Sequence, residues 1–441
     1  MSLLRRQFLS LVAGTSTLAM TASRAAESAP SETEMAHVPW SRQAAIYQVN
    51  VRQFSADGTL KAAMAELPRI RAMGVDILWL MPLQPIGKLE RKGTLGSYYS
   101  IRDYTAVNPE FGTLADARAY VQAAHALGMK VILDWVANHT AFDHPWTHAH
   151  KDWYKLDAHG EIFPVTFHAG EPGEEHWSDV TALNYASPAL RDAMIAAMQF
   201  WVRETDLDGF RCDVAGLVPT PFWERARREL DAVKPMFMLA EADAPELHRS
   251  AFDMTYSWDL AALFHQVGKG EAGAAELRDW VAKEPHGLPA SAYRMRFTSN
   301  HDFNSWNGTD AELYGDAYLP LAVLAFTLPG MPLIYNGQES RLAKRLEFFE
   351  KDPIAWKTHE LQPFYTNLVA LKHKHPALGN GQYGGAAALL DVGNDKLFAF
   401  RRVLGADSVT VVVNVTQAAQ TYRLGATERS LPAAGWLIEA A

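Results

Sequence analysis

The chain has 441 residues, 48% hydrophobic and 21% charged, with a formal net charge of −9. These are the proportions of a soluble globular protein longer than one ordinary core. The charge is modest and no Lys/Arg block is present, which argues against a nucleic-acid partner. A single cysteine, Cys212, excludes an internal disulfide, and its apolar setting reads as an inert core thiol.

In chain order, the first segment pairs Arg5 and Arg6 with a short apolar run and a small-residue end near Ala25. That run is too short to span a bilayer and reads as a signal peptide of twin-arginine type over residues 1–25. It implies a periplasmic or secreted protein with no stable membrane insertion after its removal. Residues 26–40 form a polar, Pro-containing stretch that reads as a flexible leader.

Short apolar runs then alternate with helical patterns. "AIYQVNV" precedes a helix expected from about Leu60 to Ala72, and Gly74 leads into "VDILWLMP". Thr113 is a plausible N-cap for a helix ending at Gly128, with Leu114, Ala117, Val121 and Ala124 at helical spacing before "KVILDWVAN". Ser187–Pro188 opens another helix, whose Leu190, Met194, Met198 and Trp201 form one stripe before "LDGFRCDV". "MFMLAEAD", "FDMTY", "YRMRFTSN" and "MPLIYNGQE" follow, separated by helical material. Eight continuous apolar strands alternating with helices predict a parallel sheet covered on both faces, closed as a (β/α)₈ TIM barrel over residues 41–376. A doubly wound open sheet is the alternative, but no Gly-rich phosphate loop supports it.

The alternation breaks twice. Residues 139–185 are rich in Trp, His and Gly and are too long for a plain loop, so a small subdomain inserted after strand 3 is expected. Its His144, His148 and His150 lack the Cys/His framework of a zinc site and read as a solvated loop. Residues 377–441 carry "KLFAFRRVL" and "SVTVVVNVT", the pattern of a C-terminal antiparallel β domain.

In such a barrel, chemistry sits at the C-terminal strand ends. Those ends supply Asp134, Asn138 and His139 after strand 3, Arg211 and Asp213 at strand 4, Glu241 at strand 5, and His301 and Asp302 at strand 7. Carboxyls at the ends of buried strands are costly unless paired or working. Residues two apart in a strand share a face, so Arg211 and Asp213 both face the mouth while Cys212 turns outward. The cation is expected to lower the pKa of Asp213, while a sheltered Glu241 keeps a raised one. Such an asymmetric carboxyl pair is what glycoside hydrolysis requires.

"DWVANH" (134–139), "GFRCDV" (209–214), "MLAEAD" (238–243) and "FTSNHD" (297–302) resemble, in order, the motifs of the α-amylase family, glycoside hydrolase family 13. "GVDILWLMPLQPIG" and "GMPLIYNGQE" resemble its strand 2 and strand 8 segments, so the resemblance runs from about Ala45 onward. It implies a retaining hydrolase of α-1,4-glucosidic bonds in starch-type glucans or maltooligosaccharides. Asp213 would be the nucleophile, Glu241 the general acid/base and Asp302 the transition-state stabiliser. Arg211 would orient the nucleophile, and His139 and His301 would bind hydroxyls of the cleaved sugar. "SYYSIRDY" points to Tyr99 as the ring beneath that sugar. Asn138 matches a calcium ligand of many members, with Asp179 and Asn184 as candidate partners. No organic cofactor is implied.

One departure stands out. Gly216 and Leu217 occupy positions where many members carry a Lys-His pair on the leaving-group side. Glycosyl transfer on the same scaffold therefore stays open. A non-catalytic glucan-binding barrel is disfavoured because all three carboxyls are present, and a metal-dependent hydrolase because ligands do not cluster at the strand ends.

Overall fold

A computed structural model describes residues 35–167, 174–284 and 287–441. The expected signal peptide and the first part of the leader lie outside the described residues. The end of the leader departs from the flexible stretch expected. His37 and Val38 are buried, and the His37 ring bridges the Asp253 carboxylate (2.7 Å) and the Ser291 carbonyl (2.7 Å). Burial of that imidazole fixes the segment against the barrel.

Eight strands close the barrel: Ile46–Val49, Ile77–Leu80, Lys130–Trp135, Gly209–Cys212, Phe237–Ala240, Met254–Tyr256, Tyr293–Arg296 and Met331–Tyr335. All are parallel, and the first pairs with both the second and the eighth. Alternate residues of each strand enter two different cores. Ile46, Ile77, Trp79, Ile132, Leu239 and Met254 fill the interior. Tyr47, Leu78, Leu80, Val131, Leu133, Phe210, Cys212 and Met238 pack outward against the helices. The period of two places Cys212 outside, as expected, and Arg211 inside with full burial. Gly209 begins that strand because a Cβ there would lie 1.9 Å from the Phe237 carbonyl oxygen of the neighbouring strand.

The helices follow their caps with one exception. Thr113 caps Leu114–Ala126 in a reciprocal capping box with Asp116, and Gly128 beyond it takes φ +78°. Ser187 caps Pro188–Thr205. The single helix expected from Leu60 to Ala72 is instead two, Leu60–Met64 and Leu67–Ala72. Pro68, which lacks an N–H and clashes with a preceding helical turn, sits in the first turn of the second.

The insertion forms a three-stranded antiparallel sheet in which Glu175–Ala182 lies between His139–Ala141 and Pro164–Phe167. Cations from the segment after barrel strand 2 hold it down: Lys92 pairs with Asp179 (3.0 Å) and Arg102 with Asp143 (3.2 Å). His144 is buried rather than in a solvated loop, and its Nδ1 accepts the Trp146 N–H. At the C-terminal end, Leu397–Leu404 and Asp407–Asn414 pair antiparallel within a four-stranded sheet, joined by a two-stranded ribbon. Buried Arg402 ties this sheet to the barrel by donating to the carbonyls of Thr327, Leu328, Gly379 and Gly385.

Among the described residues no helix is long and apolar enough to cross a membrane.

Candidate active site

The chemistry predicted for the strand ends is assembled around Arg211. Its guanidinium is completely buried, with the rings of Trp79, Tyr99 and Tyr256 each within 6 Å: 5.1, 5.7 and 5.6 Å from its Cζ. Nη1 donates to Asp134 Oδ1 (2.9 Å) and Asp213 Oδ1 (3.0 Å), and Nε donates to the Tyr256 hydroxyl (3.1 Å). Nη2 stands 2.9 Å from Glu241 Oε1 but off the line of its N–H bonds, so that contact is an ion pair and not a hydrogen bond. One cation thus touches three carboxyls from three consecutive strands of the barrel wall.

Local backbone sets the pair further. Val214, immediately after Asp213, has φ +36° and ψ +46°. The left-handed region is unfavourable for a β-branched residue, at a cost on the order of 1–3 kcal/mol. The strained turn ends the strand and points the Val214 N–H at Glu241 Oε2 (2.8 Å). Asp213 and Glu241 are therefore adjacent and separately anchored.

A second chain of hydrogen bonds faces this pair. Gln48 Nε2 bonds His301 Nδ1 (2.7 Å), which leaves His301 Nε2–H to donate to the Tyr99 hydroxyl (2.7 Å). Tyr99 in turn donates to Asp134 Oδ2 (3.1 Å), where the Trp79 indole N–H also arrives (3.1 Å). Asp302 Oδ2 lies 3.3 Å from His301 Nε2, and its side chain remains partly open to solvent. Tyr99 and His301 stack at 5.5 Å. His139 borders the group at the base of the insertion, edge-on to Trp177 (5.6 Å). Burial drives its pKa down to about 3, so it serves as an uncharged hydrogen-bonding ring.

The electrostatics correct one expectation. Arg211 does pull the pKa of Asp213 down, but burial outweighs it, and Asp134 and Asp302 push the same way as burial. Asp213 is raised to about 7 instead of lowered. Glu241 is raised further, to about 8, by burial and then by Asp213 and Asp302 against the opposing pull of Arg211. Both carboxyls thus lie above the ordinary range.

The seven residues predicted at the site, Tyr99, His139, Arg211, Asp213, Glu241, His301 and Asp302, thus meet at one mouth of the barrel. Sequence reading passed over Gln48, Trp79 and Tyr256 as site residues, and it gave Asp134 no role. The signal for Gln48 was a polar residue within the apolar strand "IYQV". Trp79 and Tyr256 left no such trace, because aromatic residues are ordinary in a strand.

Residues 24–367 are matched by the family model "Alpha amylase, catalytic domain". The chain belongs to the alpha-amylase family. It is similar to the alpha-amylase MalA of Haloarcula japonica, 28% identical over 400 residues, spanning 85% of this chain but 56% of that protein. It is also similar to the alpha-1,4-glucan:maltose-1-phosphate maltosyltransferase of Rhodospirillum rubrum, 27% identical, spanning 89% of this chain and 60% of that one. The crystal structure of an alpha-amylase from Lactobacillus plantarum superposes with a TM-score of 0.81 at 30% identity, covering 91% of this chain and 99% of that one.

Calcium binding in this alpha-amylase family chain meets a poor donor set. The Asp179 carboxylate is neutralised by Lys92, and the Asn184 Oδ1 accepts the Ala186 N–H. The Asn138 amide engages His139 Nδ1 (3.2 Å). Among the described residues no three His, Cys, Asp or Glu side chains converge as a metal site. A divalent oxygen-seeking cation at Asp179 would have to displace an ammonium.

Proposed function

We propose that the protein is a retaining glycoside hydrolase acting on α-1,4-linked glucans or maltooligosaccharides. The observation that carries this reading is the single guanidinium shared by Asp213 and Glu241. Two carboxyls within about 3 Å of the two terminal nitrogens of one guanidinium are held close together. That favours the separation of about 5–5.5 Å at which one carboxylate attacks directly, over the wider gap of inverting enzymes.

In this scheme Asp213, which accepts from Arg211 Nη1, attacks the anomeric carbon while Glu241 donates its proton to the leaving oxygen. Asp302, across the mouth, stabilises positive charge developing on the ring. Tyr99 offers a flat face to the sugar, and His139 and His301 offer hydrogen bonds to its hydroxyls. Glu241, deprotonated after the first step, then activates the water that releases the product. Early time points of maltotriose cleavage, followed by proton NMR, will show product of retained α configuration. Initial release of the β anomer would overturn the scheme.

Glycosyl transfer is the second reading, favoured by the loop after Asp213. Gly216 there faces Ala242, the residue after Glu241, so the loop borders the leaving-group side. It presents Leu217, 45% exposed, as an apolar surface for an incoming sugar. Products longer than maltotriose in the same reaction would establish transfer; their absence leaves hydrolysis.

We further propose that the insertion is held by the Lys92–Asp179 ion pair and not by calcium. Excess chelator is expected to leave the melting temperature and activity unchanged. Lys92→Met, which strips Asp179 of its partner, lowers the melting temperature by a few degrees. A chelator-induced drop in melting temperature, restored by calcium, would reverse this assignment.

A further inference from the structure

Gln48 is the polar residue of barrel strand 1 and is buried. Both ends of its amide engage one neighbour. Gln48 Oε1 accepts the His301 backbone N–H (3.3 Å), while Nε2 lies 2.7 Å from His301 Nδ1. A backbone N–H can only donate, so it fixes which end of the amide is oxygen. Nε2 is then the donor, and Nδ1 of the imidazole accepts with its lone pair. The ring proton sits on Nε2, 2.7 Å from the Tyr99 hydroxyl and 3.3 Å from Asp302 Oδ2. Trp79 and Phe348 pack against the ring at 5.9 and 6.4 Å.

The direction set at Gln48 propagates. Tyr99, accepting from His301, donates its own proton to Asp134 Oδ2 (3.1 Å). Asp134 in turn shares Arg211 Nη1 with Asp213. One line of donors therefore runs from strand 1 to the partner of the guanidinium. A proton added at Nδ1 would set two N–H donors against each other across 2.7 Å. Gln48 thus opposes an imidazolium, although the Asp302 carboxylate favours one.

We propose that Gln48 is a positioning residue for the attack by Asp213. It holds His301 uncharged with its one N–H toward the mouth, and so leaves Asp302 its full negative charge. A cationic ring 3.3 Å from Asp302 would tie that charge into an ion pair before the transition state forms. The assignment rests on the role given to Asp302 in the α-glucan reading above.

Gln48→Glu tests it, because the size and the acceptor for the His301 N–H are kept while the Nε2 donor becomes a carboxylate oxygen. That oxygen draws a proton onto Nδ1, and with Asp302 at the other nitrogen the ring becomes an imidazolium. Nitrogen-15 NMR of histidine-labelled protein reads the change, with the His301 signals assigned by their loss in His301→Gln. Wild type should show a protonated Nε2 and a bare Nδ1, and Gln48→Glu should show both protonated. Gln48→Glu should also lower kcat for maltotriose by about tenfold to a hundredfold, with little change in KM. Gln48→Met, which removes both bonds and adds no charge, should lose less. A merely structural role predicts the reverse order. A wild-type ring protonated at Nδ1, or a folded Gln48→Met protein slower than Gln48→Glu, overturns the assignment. If Gln48→Glu does not fold, the wild-type tautomer decides it. Wild-type protein that cleaves no maltotriose overturns the α-glucan reading, a failure distinct from a wrong tautomer.

Discussion

Asp213→Asn is expected to lower turnover of maltotriose by about four to six orders of magnitude, the range seen when an enzyme's covalent nucleophile is removed. The amide cannot form the glycosyl ester, and no other carboxyl is placed to replace it. Asp134 shares Nη1 of Arg211 but is completely buried, and the Tyr99 hydroxyl and Trp79 N–H occupy its second oxygen. Glu241 is committed to the leaving oxygen. The fold should survive, because asparagine is nearly isosteric and its Oδ1 can still accept from Nη1. Arg211 also keeps Asp134 as a partner. The measurement is kcat by reducing-sugar release alongside the far-UV dichroism spectrum and melting curve. A folded Asp213→Asn protein with near wild-type cleavage would remove Asp213 from the mechanism. A wild-type protein that binds maltooligosaccharides without cleaving them would favour a binding barrel.

The second large effect is on pH dependence. Activity needs Asp213 ionised and Glu241 protonated. With Asp213 raised to about 7 and Glu241 to about 8, kcat/KM should follow a narrow bell between those values, its alkaline limb set by Glu241. Glu241→Gln should abolish that limb along with most activity on maltooligosaccharides. An activated aryl glycoside will suffer less in its first step, because its leaving group needs little protonation. Stability carries the same signature with a definite sign. Both carboxyls hold protons in the folded protein that they release in the unfolded chain above about pH 4. Their contribution to stability is therefore full below that pH and is lost as pH rises through their folded values. Glu241→Gln removes one such group, so it should raise the melting temperature relative to wild type at pH 8 and change it little at pH 4. A variant less stable than wild type at pH 8 would show that the Arg211–Glu241 attraction outweighs the burial of Glu241.

The sequence by itself determined the barrel, because each element announces itself locally. Continuous apolar runs, the Thr113 and Ser187 caps and the regular strand–helix alternation depend only on neighbours along the chain. It also determined that Arg211 and Asp213 face the mouth, since a period of two sends them inward and Cys212 outward whatever lies across the barrel. Tertiary structure decided their protonation. A nearby arginine argues for a lowered pKa at Asp213, but burial and the approach of Asp134 and Asp302 from other strands reverse it. These are sums over groups far apart in sequence. The same holds for Gln48, 253 positions from His301, whose bond orients that ring. It holds too for Lys92, which meets Asp179 only when the insertion folds back over the barrel, and for the docking of His37 against Asp253. Pro68 is the intermediate case. Its break was written in the sequence, but helical spacing on both sides concealed it. Local chemistry specifies elements and the faces they present; closure of the barrel sets the distances between those faces, and charge interactions depend on distance.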